Sequence, residues 1–170
     1  MCHGIPLILQ SGHSPHRLDM QVGGFAWAIP AADFESLLET NRAVRAVMLR
    51  YVQFFLLQSG ETCLYNAVRP VEERLARWLL MGHDRLPGDD VPLTHDYLAI
   101  MLGSSRTTVT FALGNLAQRG AIRTARGTIA IVDRPLLERI AGDGYGLPER
   151  EYNRLIARRF GNARQAASVL

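Results

Sequence analysis

Residues 94–116, Thr-His-Asp-Tyr-Leu-Ala-Ile-Met-Leu-Gly-Ser-Ser-Arg-Thr-Thr-Val-Thr-Phe-Ala-Leu-Gly-Asn-Leu, hold the side chains best suited to chemistry in this chain. Arg106, Thr107, Thr110, Phe111 and Gly114 fall at i, i+1, i+4, i+5 and i+8. On a helix that spacing makes one face, bearing a guanidinium and no carboxylate. An arginine near a helix N-terminus can fork onto guanine O6 and N7 in the major groove of duplex DNA, and a threonine hydroxyl can reach a base edge or a phosphate. Phe111 suits a thymine methyl, and Gly114 leaves room for the sugar-phosphate backbone. The competing reading is a solvated helix face with one stray Phe.

Such a face works only if the opposite one is anchored. Val109, Ala112, Leu113 and Leu116 supply the anchor, on a helix spanning about residues 105–118. Thr94 is a good N-cap for a shorter helix before it, whose inner face is Leu98, Ala99 and Leu102. Gly103 permits the left-handed backbone of a tight turn, and Ser104 or Ser105 caps the second helix. The spacing of Ala99, Gly103 and Val109 is that of a helix-turn-helix. Residues 121–132 then alternate with a period of two, with Ile122, Ile129 and Ile131 inward, Arg123 and Arg126 outward, and Arg126-Gly127 as the turn. A helix-turn-helix followed by a basic hairpin describes a winged helix, whose hairpin arginines would neutralise phosphates rather than stand merely solvated.

Upstream, the pattern is helical from about Asp33 to Arg69. Val44, Val47, Tyr51, Phe54, Gln58, Tyr65 and Val68 make a stripe of three- and four-residue steps, with Met48, Val52 and Phe55 beside it. Its length of ~40 Å exceeds what one small domain hides, so parallel pairing in a homodimer is expected, against the alternative of packing on its own chain. Gly60 is expected to mark a bend. Arg69-Pro70 ends this helix and starts another, with Glu72 and Glu73 at its positive end, Leu75, Trp78 and Leu79 buried, and Gly82 as its stop. Leu86 to Pro92 reads as a loop. The first 32 residues have strand character in Ile5-Pro-Leu-Ile-Leu, Leu18-x-Met20-x-Val22 and Phe25-x-Trp27-x-Ile29. Three short strands leave open edges and little core, so the chain is expected to begin inside a larger β-domain.

A chain of 170 residues, 48% apolar and 21% charged, closes one or two compact cores and is too short for a large enzyme. All 19 basic residues are Arg, against 16 acidic ones, and the charge is banded. Residues 94–128 hold Arg106, Arg119, Arg123 and Arg126 against Asp96 alone, a net +3, and residues 41–69 hold four Arg against Glu61, also +3. Cys2 and Cys63 cannot build a disulfide framework and suit a reducing cytosol. With no basic leader and no apolar run near the ~20 residues of a membrane span, a cytoplasmic protein is expected.

The chain resembles the Crp/Fnr family of bacterial transcription regulators over roughly residues 2–146. The resemblance rests on Val71-Glu-Glu-Arg-Leu-Ala-Arg-Trp-Leu-Leu, Leu93-Thr94 with Leu98-Ala-x-Met-Leu-Gly103, Ser105-Arg-Thr-Thr-Val-Thr110, and Gly120-Ala-Ile through Arg126-Gly-Thr-Ile. It implies an α+β, mainly helical architecture in four parts. These are an incomplete cyclic-nucleotide-binding-like β-domain (1–40), a dimerisation helix (41–69), a winged-helix DNA-binding domain (70–146) and a tail (147–170). It further implies a homodimer, through the helix at about 41–68, on an inverted-repeat double-stranded DNA site, with RNA polymerase as a further partner. Ser105 and Thr108 would hold phosphates and Arg106 would read a base. Many members follow that Arg with Glu and place a second Arg four residues beyond it. Thr107 and Phe111 stand there in this sequence, so the usual half-site does not carry over.

Family members that bind cyclic nucleotides use a Glu and an Arg-Ser or Arg-Thr pair, where this chain has His3 and His13-Ser14. No bound cyclic nucleotide, iron-sulfur cluster or other cofactor is therefore expected. Cys2, His3, His13 and His16 match no closed zinc pattern. Cys63 is either a small buried side chain or a bridge to its twin under oxidation. His83-Asp84 lacks the companions that acid-base catalysis needs, so no enzyme is expected. Arg150, Arg154, Arg158, Arg159 and Arg164, with Tyr152, Leu155, Ile156 and Phe160 at helical spacing, make either an extra helix near DNA or a frayed tail. Beside the DNA-binding regulator stand two alternatives: a winged-helix protein-interaction module anchored by Phe111, and a truncated remnant without regulated DNA binding.

Overall fold

A computed structural model describes residues 4–15 and 20–157. In chain order the elements are α1 (Ile5–Ile8), α2 (Ala31–Thr40), α3 (Arg42–Val68), α4 (Val71–His83), β1 (Asp90–Val91), α5 (His95–Met101), α6 (Arg106–Gln118), β2 (Ile122–Ala125), β3 (Thr128–Ile131), α7 (Arg134–Ala141) and α8 (Leu147–Tyr152). A short 3-10 turn, Gly142–Gly144, follows α7, and a π turn, Asn153–Ala157, follows α8. The residues divide into two compact units, 60–147 and the remainder.

The remainder is built around the first half of α3. Asn41 breaks the helical run foreseen from Asp33, and its side chain then caps α3, accepting from the backbone N–H groups of Ala43 and Val44 at 3.1 Å each. Ile8, Leu38 and Val52 form one small core, packed by Phe34, Val44 and Met48. Tyr51, Phe54 and Ile156 form another, in which the Phe54 and Tyr152 rings meet edge-on at 5.0 Å. The stripe read as a dimer surface is thus partly consumed within the protomer, as Tyr51, Phe54 and Tyr65 are all buried. A different row stays exposed on α3, including Leu49, Leu56, Cys63 and Leu64. The helix runs unbroken through Gly60.

The strand expectations near the start need correction. Ile5–Ile8 is a helix with Pro6 in its first turn, a position where proline's missing N–H costs nothing, whereas it could not donate to a strand ladder. Met20, Val22 and the Phe25-to-Ile29 segment pair with no strand among the described residues, and Phe25 and Trp27 are fully exposed. A strand exists only where a neighbour completes its hydrogen bonds. Leu18, His16, Cys2 and His3 lie outside the described residues, as does the tail beyond residue 157.

In residues 60–147, α4 packs against α6 and α7, α5 packs against α6, and α4 and α6 reach a three-stranded antiparallel sheet in the order β1-β3-β2. Leu75, Leu79, Leu98, Val109, Leu116 and Leu137 are fully buried at its centre. The register sets Ile122 opposite Ile131 and Thr124 opposite Ile129, which turns the three isoleucines inward as their alternation requires. Residues 90–91, read as part of a loop, are an edge strand paired to Ala130 and Ile129. α4 starts after Pro70 as expected and runs one residue past Gly82, which lies close against the Val91 side chain.

His83 and Asp84, weighed above as an acid-base pair, belong to a structural network. Arg134 donates to His83 Nδ1, Asp84 and Glu138, and the Tyr145 hydroxyl donates to Asp84. Because a guanidinium only donates, Nδ1 must be the acceptor, and the proton sits on Nε2, 3.0 Å from Asp89 Oδ1. This ties the end of α4 to the start of α7 and to the residue leading into β1.

Candidate nucleic-acid interface

The expected helix-turn-helix is α5, a turn and α6. Thr94 caps α5 by accepting from the Tyr97 N–H at 3.2 Å. Gly103 takes φ 55°, the left-handed conformation the turn needs. Of the two serines, Ser105 is the cap of α6: its hydroxyl accepts from the Thr108 N–H at 3.1 Å and lies 2.8 Å from the Thr108 hydroxyl. Val109, Ala112, Leu113 and Leu116 are all buried, as their spacing demanded.

The turn is held from behind. The Arg74 guanidinium donates to the carbonyls of Leu102 at 2.8 Å and Asn66 at 3.1 Å. A helix C-terminus leaves carbonyls without partners, and Arg74 satisfies one at the end of α5 and one near the end of α3. Glu72 binds α6 from the other side, accepting from Asn115 and from Arg119 at 2.7 Å. Arg119 therefore spends its charge on scaffolding.

With its inner face buried, α6 presents Arg106, Thr107, Thr108, Thr110 and Phe111 to solvent, with Ser105 exposed at its head. Phe111 is 70% exposed, too open for a core residue. Arg123 lies on β2 and Arg126 in the hairpin turn, where Gly127 has φ 73°. Both arginines are exposed, and neither forms an ion pair among the described residues. All eight expected contact residues are thus exposed, six at the head of α6 and along it and two on the hairpin.

Two residues that sequence reasoning missed reach this face from α5. Asp96 Oδ1 lies 3.1 Å from Arg106 Nε, and His95 Nδ1 lies 3.0 Å from the Thr110 hydroxyl. The α6 face carries no carboxylate of its own, but one is supplied by the neighbouring helix. An acid in the first turn of a helix has a sufficient local explanation in the helix dipole, which is why Asp96 gave no other signal.

Residues 73–140 match the model of the Crp-like helix-turn-helix domain. Over these residues the chain is similar to Crp-like helix-turn-helix domains. The transcriptional regulator SdrP of Thermus thermophilus is 35% identical to the chain, over 44% of this chain and 40% of its own length. A solved transcriptional regulator of the CRP family from Thermus thermophilus superposes with a TM-score of 0.51 at 25% identity, covering 56% of this chain and 52% of that one. A CooA mutant from Carboxydothermus hydrogenoformans shares the fold, with a TM-score of 0.55 at 20% identity over 65% and 55% of the two chains. The Crp/Fnr resemblance is borne out, and the chain spans about half the length of these relatives. Among the described residues no helix is long and apolar enough to cross a membrane.

Proposed function

We propose that this chain is a sequence-specific, double-stranded-DNA-binding transcription regulator that acts as a homodimer without catalysis. The observation carrying this reading is the outward face of α6, Arg106 to Phe111, projected from a helix whose other face is fully buried. An exposed arginine and short hydroxyls on the first two turns of such a helix fit the major groove. Ser105 and Thr108 serve phosphates, Arg106 and Phe111 serve bases, and Arg123 and Arg126 add backbone contacts. The row left exposed on α3 supports self-association: Leu49, Leu56 and Cys63 recur every seven residues, with Gln53, Gly60 and Ala67 between them, which is the period of paired helices.

The test is duplex binding by wild type and Arg106→Ala at two salt concentrations. Wild-type affinity should fall steeply as salt rises, because phosphate contacts release counterions. Arg106→Ala should lose ~1–3 kcal/mol at one base pair of each half-site and little elsewhere. Equal loss on every sequence would reduce Arg106 to a phosphate anchor. Salt-insensitive, sequence-blind binding would favour the protein-interaction reading of Phe111 instead.

A further inference from the structure

We propose that Asp96 is the positioning residue that decides how Arg106 meets DNA, holding it for a guanine and away from the phosphates. This rests on the DNA-reading function proposed for α6. Asp96 is the second residue of α5, and it forms an ion pair with the Arg106 guanidinium, with Oδ1 3.1 Å from Nε. Both side chains are about 70% exposed, at 68% for Arg106 and 70% for Asp96. An ion pair that open adds little to stability, so folding is a poor account of it.

Its geometry gives it another use. Guanine O6 and N7 are read by two parallel N–H groups in one plane. A free arginine on an exposed helix has many rotamers and five donors, and most of its arrangements reach a phosphate as easily as a base. The ion pair draws the guanidinium toward α5 on its Nε side, which narrows those arrangements and leaves the two terminal amino groups as the reading edge. The carboxylate also carries a charge of the wrong sign for the DNA backbone. It therefore weakens any register in which no arginine or cytosine amino group meets it, and its second oxygen is free to accept from cytosine N4 beside the guanine. A carboxylate here lowers affinity for arbitrary DNA and raises the contrast for a G·C pair, so Asp96 exchanges strength for selectivity.

The experiment selects duplexes from a random-sequence pool with wild type, Asp96→Ala and Asp96→Asn. Affinities are then measured for the enriched duplex, for the same duplex with its guanine replaced, and for random duplex, alongside thermal melting. Wild type should enrich a guanine at one position of each half-site. Asp96→Ala should discriminate about tenfold less at that position while binding random duplex several-fold more tightly. Asp96→Asn keeps the shape of the side chain without the charge, and should lose discrimination much as Ala does. A variant that is only less stable loses both affinities, so opposite movements of the two separate positioning from folding. Unchanged discrimination with the motif intact, or a parallel loss of both affinities with a lower melting temperature, overturns the role of Asp96 and leaves DNA reading by α6 standing. A wild type that enriches no motif overturns both.

Discussion

Ser105 joins two tasks in one hydroxyl. It caps α6 through the Thr108 N–H, and it stands at the helix N-terminus, where exposed donors and the helix dipole favour an incoming phosphate. Substitution can part the two. Ser105→Ala should cost about 1 kcal/mol of stability in a denaturant titration and weaken DNA binding on all sequences alike. Ser105→Asp keeps a good cap, so stability should stay near wild type, while its charge repels the backbone and lowers duplex affinity, more so at low salt. If Ser105→Asp binds DNA as well as wild type does, the phosphate role is wrong. Caps and buried positions of this kind were legible in the sequence because each depends on residues within one turn. The Asp96–Arg106 pair was not, because the nine residues between them give no hint that the turn at Gly103 folds one back on the other.

At the scale of elements, the tip of the 3-10 turn after α7 shows how tightly α3 is docked within residues 60–147. A Cβ on Gly144 would lie 2.5 Å from the Tyr65 ring, and the Gly144 carbonyl accepts from the buried Arg77 at 2.6 Å. Gly144→Ala must push the ring or the turn aside, so it should destabilise by ~1–3 kcal/mol, seen as an earlier unfolding midpoint. An unchanged midpoint would show that this contact yields freely. The sequence stripe through Tyr65 correctly marked a buried face, but periodicity cannot say what buries it, and here much of the work falls to the protomer's own turn and tail. The short elements were read least well. Ile5–Ile8 is too brief for a period to tell helix from strand, and two-residue β1 shows no alternation at all. The hairpin, by contrast, declared itself through three inward isoleucines and one glycine.

For the whole molecule, the proposed dimer sets the length scale of its target: two recognition helices related by a two-fold axis require half-sites about one helical turn apart. Leu56, exposed at the centre of the seven-residue row on α3, is the place to break it. Leu56→Asp should yield a monomer in analytical ultracentrifugation and lower affinity for an inverted-repeat duplex by ~10²-fold or more, because each half then binds without its tethered twin. Affinity for a single half-site should hardly change. A variant that remains dimeric would place the interface elsewhere. The winged helix was readable as a unit because its signals are local and mutually consistent, from the caps of two helices to the register of one hairpin. Residues 20–29 were not, since their alternation spoke for a sheet whose other strands the described residues do not contain.

That segment gives the protein an optical handle. Trp27 stands fully in water while Trp78, the chain's second indole, is half-buried in α4. Their emission should therefore separate into a red component open to aqueous quenchers and a bluer, shielded one. Whatever comes to lie over Phe25 and Trp27 would blue-shift and protect the first while leaving the second untouched, reporting its arrival without any added label.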